Sequence, residues 1–160
     1  MKPADYPHVK ICCISSAREA YLAIKYGASA IGLVGKMPSG PGVISDELIV
    51  EIAAGVSEDI DTFLLTSETT AEGIINHQRK VNTSTIQIVD RIDTEAYRTL
   101  RNKLPAIKLV QVIHVLDENS VTEAAMYAEY ADALLLDSGN PSLAVKQLGG
   151  TGRTHNWELS

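Results

Sequence analysis

The chain has 160 residues, of which 45% are hydrophobic and 21% charged, with a formal net charge of −6. Those values describe a single globular domain over residues 1–160 with a substantial core. They exclude the basic stripe of a nucleic-acid surface, and no apolar run approaches the roughly 20 residues of a membrane helix.

Taken in chain order, residues 1–8 carry Pro3, Asp5 and Pro7 but no hydrophobic signal region, so export is not expected and the expected location is the cytoplasm. Short apolar runs follow at 8–14, 30–35, 62–66, 85–89, 107–113 and 133–137. They are rich in Ile, Val and Leu with little polar alternation, as parallel strands covered on both faces are. Helical patterns lie between them. Ser16 caps 17–26, and Ser45 with Asp46 and Glu47 opens a stretch to Ala54. Ser67 and Glu68 lead into 71–80, Asp93 into 94–102, and Asn119 with Ser120 into 121–130. A faint repeat recurs where helix gives way to strand, in Tyr26-Gly27-Ala28-Ser29-Ala30 and Tyr130-Ala131-Asp132-Ala133. The pattern predicts an α/β fold of right-handed βαβ units, either a barrel or an open doubly wound sheet. Six strands and five helices are counted, with a sixth helix expected near Asn156-Trp157. A closed (β/α)8 barrel takes about 200 residues or more, so the expected architecture is a TIM-type barrel that stops after its sixth strand.

In such folds the working residues sit at the C-terminal ends of strands and in the loops after them. That rule selects Cys12-Cys13, residues 36–43, residues 87–90, Asp137 and the loop 149–153. Adjacent cysteines are badly placed for an unstrained disulfide, so both read as thiols. Strand alternation lets only one of them face the mouth; if it is Cys12, Lys10 shares its face and favours the thiolate. Packing as two small hydrophobes is the bland alternative. Asp137 closes the run Leu134-Leu135-Leu136, where an idle carboxylate is expensive to bury. Its bland alternative is a cap on the next loop. Gly149-Gly150-Thr151-Gly152-Arg153-Thr154 has the backbone to wrap a substrate, without the Walker spacing. His114 and His155 read as core or surface histidines. No metal-ligand spacing is present, so no metal is expected.

Together these segments resemble the phosphoribosylanthranilate isomerases of tryptophan biosynthesis. The family's K-I-C-G-I-T strand is similar to Lys10-Ile11-Cys12-Cys13-Ile14-Ser15, and its G-A-D-A-I-G to Gly27-Ala28-Ser29-Ala30-Ile31-Gly32. Its L-L-L-D-S resembles Leu134-Leu135-Leu136-Asp137-Ser138, and its G-G-T-G-K-T-F-D-W resembles Gly149-Gly150-Thr151-Gly152-Arg153-Thr154-His155-Asn156-Trp157. The resemblance implies an aldose–ketose isomerase performing an Amadori rearrangement without a cofactor. It makes Asp137 the general acid that opens the sugar ring and Cys12 the general base at C2. The first would be a carboxyl kept protonated and the second a thiol kept ionised. Lys10, Gln87, Gly150, Thr151, Gly152 and Arg153 would bind the phosphorylated sugar.

The departures are as specific. The family's S-P-R-Y-V-S loop becomes Ser39-Gly40-Pro41-Gly42-Val43-Ile44-Ser45, with Gly42 where an arginine fits the anthranilate carboxylate. Cys13 replaces the glycine that follows the family's cysteine, and Ile86-Gln87-Ile88-Val89-Asp90 keeps a glutamine but loses a histidine. The family holds substrate phosphate with loops after strands seven and eight, which the count does not reach. Strands one and six would then present open edges, so the expectation is either a fragment of a longer protein or a barrel whose edges are covered by a homo-oligomer. A repurposed, non-catalytic barrel acting as a binding or assembly partner is the alternative.

Overall fold

The protein is described here by a computed structural model covering residues 7–148 and 152–160. Six parallel strands form one sheet in sequence order: β1 (Lys10–Ile11), β2 (Ala30–Val34), β3 (Asp61–Thr66), β4 (Thr85–Ile88), β5 (Lys108–His114) and β6 (Ala133–Asp137). Five helices cross between them: α1 (Ala17–Lys25), α2 (Asp46–Ala54), α3 (Ala71–Val81), α4 (Thr94–Lys103) and α5 (Asn119–Ala128). Among the described residues β1 pairs only with β2 and β6 only with β5, so the sheet is an open part-barrel of the TIM type. The expected sixth helix is a single 3₁₀ turn, Trp157–Leu159.

The helices begin where short polar side chains take the first free N–H groups. Ser16, Ser45 and Asp93 cap as expected, accepting from Glu19, Leu48 and Glu95. Two starts differ. Thr70, not Ser67, caps α3, and Ser67 instead donates to the Lys36 carbonyl. Ser120 lies inside α5, buried, with its hydroxyl donating to the His114 carbonyl and accepting from the Leu116 N–H. That tether ties the start of α5 to the end of β5.

Strand period sorts the core into two layers. Ile31, Leu33, Leu64, Ile86, Ile88, Leu109 and Ile113 pack among the helices, in clusters with Ile49, Ile52, Ile74, Tyr97 and Leu100. The alternate residues Val34, Leu65, Val89 and Val112 pack instead with Leu148 on the opposite face of the sheet, against Met37, Phe63 and Leu135. Full burial of one such aliphatic side chain contributes about 1.5–3 kcal/mol. The helix-facing layer therefore supplies most of the hydrophobic stabilisation, while the inner face is left thinner and partly polar. Gln111, fully buried on the helix side, is tied by the Tyr97 hydroxyl at 2.5 Å and by two backbone carbonyls. This network locks α4 to β5.

Candidate active site

The inner face ends in a cavity of ≈ 180 Å³ at the C-terminal ends of the strands, lined by Lys10, Cys12, Cys13, Gln87 and Asp137 together with apolar side chains. Cys12 directly follows β1 and Asp137 ends β6, the two outermost strands, yet both line this one cavity. Met37, Pro41 and Leu148 bound it from the loops.

Cys12 lies over Gly32 of β2: a Cβ added there would come within 2.8 Å of the Cys12 sulfur and 3.3 Å of Leu65. The glycine thus makes the space that lets the thiol sit against the sheet. Strand alternation fails at the next residue. β1 ends at Ile11, and Cys13 takes a left-handed backbone with φ 59°, so both cysteines line the cavity rather than one. Burial pushes the Cys13 thiol up, as does the neighbouring Cys12, against a smaller downward pull from Lys10. Cys13 is therefore held as a thiol at neutral pH, its sulfur 3.7 Å from the Pro41 carbonyl.

Lys10 is engaged by Gln87, to which its ammonium donates a hydrogen bond, and it lies 4.5 Å from the centre of the Phe63 ring. The two predicted polar binding residues thus form one pair on the cavity floor. Gly152 and Arg153 lie in coil, with Gly152 at φ 65°, whereas Gly150 and Thr151 fall outside the described residues.

Asp137 corrects one expectation. Its carboxylate faces His114 Nδ1 at 3.7 Å and accepts the Gly139 N–H at 2.6 Å. His114 first, then the Gly139 N–H and the charge of His155, hold the carboxyl below the usual carboxylate range, against the opposing effect of burial. A carboxyl so placed is ionised at neutral pH, not kept protonated by its surroundings. His114 is the residue that sequence reasoning set aside as packing. Its signal was the register: β5 and β6 pair His114 directly with Asp137, so the last residues of two adjacent parallel strands share the inner face. A second polar contact at the rim also went unread, in which Lys146 donates to the buried Asp90 carboxylate at 2.5 Å.

The Gly42 departure has a steric cause. Gly42 has φ 80°, and a Cβ on it would meet Cys13 at 2.5–2.9 Å, at Cβ, Sγ and Cα. The side chain that replaces the family's glycine occupies the space into which the family's arginine would start. Two departures in sequence are one event in space.

No family model matches the chain. Among curated proteins it is 29% identical over 150 residues to the N-(5'-phosphoribosyl)anthranilate isomerase of Microcystis aeruginosa, covering 94% of this chain and 68% of that one. It is 30% identical over 152 residues to that of Halobacterium salinarum, covering 93% and 66%. The solved phosphoribosylanthranilate isomerase of Thermotoga maritima superposes with a TM-score of 0.75 at 24% identity, over 96% of this chain and 70% of that one. The chain belongs to the phosphoribosylanthranilate isomerase family. It spans about two thirds of the length of these relatives. A second isomerase structure, in complex with reduced 1-(o-carboxyphenylamino)-1-deoxyribulose 5-phosphate, superposes with a TM-score of 0.71 at 23% identity, over 82% of this chain and 65% of that one. The fold match reaches beyond the family, to a phosphoenolpyruvate phosphomutase of Streptomyces platensis at 15% identity and a TM-score of 0.61.

Among the described residues no helix is long and apolar enough to cross a membrane.

Proposed function

We propose that this chain isomerises phosphoribosylanthranilate, an N-linked aldose phosphate, to the corresponding 1-deoxyribulose phosphate, a step of tryptophan biosynthesis. The observation that carries this reading is the convergence of Cys12 and Asp137 on one cavity at the C-terminal face of the strands. In the proposed reaction Asp137 delivers a proton to the furanose ring oxygen as the C1–O bond breaks, and the nitrogen lone pair closes a C=N bond. Cys12, as thiolate, then removes the proton from C2, and the released electron pair forms the enolamine that tautomerises to the ketose. Each positioned proton transfer contributes on the order of 10²–10⁴. At ≈ 180 Å³ the cavity is smaller than the roughly 300–1,000 Å³ of a pocket for a drug-sized ligand. It encloses the reacting sugar carbons, and the aglycone and phosphate extend over the rim. Lys10 and Gln87 position the sugar from the floor, and Gly150, Thr151, Gly152 and Arg153 are assigned to binding the phosphorylated sugar.

The test is turnover of phosphoribosylanthranilate by the purified chain beside Cys12→Ala. Turnover in the first, and a loss of about 10²-fold or more in the second, is the expected result. A folded chain with no turnover would reject the reading in favour of a barrel repurposed for binding.

We also infer that a second copy covers the open edges. Val9 and Ile11 at β1 and Leu136 on β6 are each more than 40% exposed, and unpaired apolar strand edges template association. One structural neighbour consists of monomers generated from the dimeric phosphoribosylanthranilate isomerase of Thermotoga maritima. Sedimentation at micromolar concentration should show a dimer or larger; a soluble, folded monomer would reject this.

A further inference from the structure

We propose that His114 and Asp137 hold one proton between them and act as a single acid, with His114 a positioning residue that stores the proton Asp137 delivers. The inference rests on Asp137 being the acid of the proposed reaction, and the argument for the shared proton is geometric. His114 is 5% exposed, and its Nε2 lies 3.0 Å from the Val89 carbonyl. A carbonyl only accepts, so Nε2 carries a hydrogen. In a neutral ring the other nitrogen, Nδ1, is then a bare lone pair. It has no hydrogen-bond partner, and the group it faces is the Asp137 carboxylate at 3.7 Å. Two acceptors confronted in a buried site repel, and an unmet buried polar atom costs about 1–3 kcal/mol. A proton on either Nδ1 or Asp137 removes both penalties. The site is held to this arrangement by the strand register that pairs the two residues. Gly139 contributes by having no side chain: a Cβ there would lie 2.7 Å from His114 Nδ1 and 2.9 Å from Asp137 Oδ1.

The charges facing the pair agree. His155 acts on Asp137 from the C-terminal segment. Asp90 beside β4 is neutralised by Lys146, and Lys10 on β1 is engaged by Gln87. Cys12 opens on the same cavity. The pair is therefore the proton reservoir nearest the acid position. It resolves how a carboxyl held ionised can serve as an acid. Before ring opening the pair is neutral, as imidazolium–carboxylate, and His114 Nδ1 hands its proton to Asp137 as the acid acts. One proton passes from Asp137 to the ring oxygen as the C1–O pair departs with it. Imidazole and carboxylate remain, with one negative charge opposite the new iminium. Solvent restores the proton after product leaves.

The ring nitrogens of His114, followed by ¹⁵N NMR in the full chain, report this without turnover. The wild-type ring is expected to carry hydrogen on both nitrogens, and the ring of Asp137→Asn on Nε2 alone. A wild-type ring already neutral at pH 6, with hydrogen on Nε2 alone, would overturn the proposal. In kinetics, His114→Gln should lower kcat by about 10²-fold with KM within about twofold, and shift the alkaline limb of the pH profile. A kcat and pH profile unchanged in His114→Gln, beside a large loss in Asp137→Asn, would overturn the shared proton while leaving Asp137 as the acid. Should neither variant alter turnover, the isomerase reading fails, and the NMR titration alone decides whether the pair shares its proton.

Discussion

Asp137→Asn should lower kcat on phosphoribosylanthranilate by about 10³-fold, within the span expected for one lost proton transfer, while leaving the fold intact. Asparagine keeps an oxygen able to accept the Gly139 N–H, the contact that shapes the loop after β6 at 2.6 Å. It removes the charge opposite His114 and the only means of passing a proton into the cavity from this position. The stability consequence follows from the direction of the Asp137 shift. A carboxyl held low in the folded chain stabilises the fold above its unfolded pKa of about 3.9, and that contribution is lost as pH falls through the lower folded value. Wild type and variant should therefore differ in stability at neutral pH and converge in acid. Stopped turnover with an unaltered melting transition in acid is the expected pair of results. A variant that turns over at the wild-type rate removes Asp137 from the mechanism.

The strands and helices were legible because burial on both faces leaves continuous Ile, Val and Leu runs, and because Ser16, Ser45 and Asp93 mark helix starts chemically. β1 was not. A run of seven residues shrank to Lys10–Ile11 because Cys13 leaves the extended region, which no side-chain pattern announces for a non-glycine residue. The proposed acid/base pair could be named from motif resemblance, but the electrostatics around Asp137 could not. The state of Asp137 depends on His114, 23 positions earlier, and the two meet only once the register of β5 against β6 is fixed. A histidine in an apolar run reads as packing until its neighbour strand is known. Likewise Lys146 and Asp90 are 56 positions apart, and only the return of the last loop to the mouth brings them together.

The same reasoning explains the two departures from the family and makes them separable by experiment. Gly42→Ala should destabilise the chain by about 3 kcal/mol: about 1 from placing a side chain at φ 80°, and about 2 from overpacking against Cys13, whose Cβ lies 2.5 Å from the added atom. In a Cys13→Gly background the contacts with the Cys13 Cβ and Sγ disappear, and the 2.9 Å approach to the Cα of residue 13 remains beside the backbone cost of about 1 kcal/mol. Glycine at position 13 also suits the left-handed φ of 59° found there. Denaturant unfolding of the four chains in a double-mutant cycle should give a coupling of about 1–2 kcal/mol, the part of the overpacking due to the Cys13 side chain, whereas additivity within about 0.5 kcal/mol would show that the two side chains do not sense each other. The coupling bears on function, since a side chain at position 42 is admitted to the rim only when Cys13 withdraws. Any cation placed at 42 to grip a substrate carboxylate therefore requires the change at 13 first. The order of the two substitutions, not the arginine alone, governs whether this rim can be rebuilt into a carboxylate clamp.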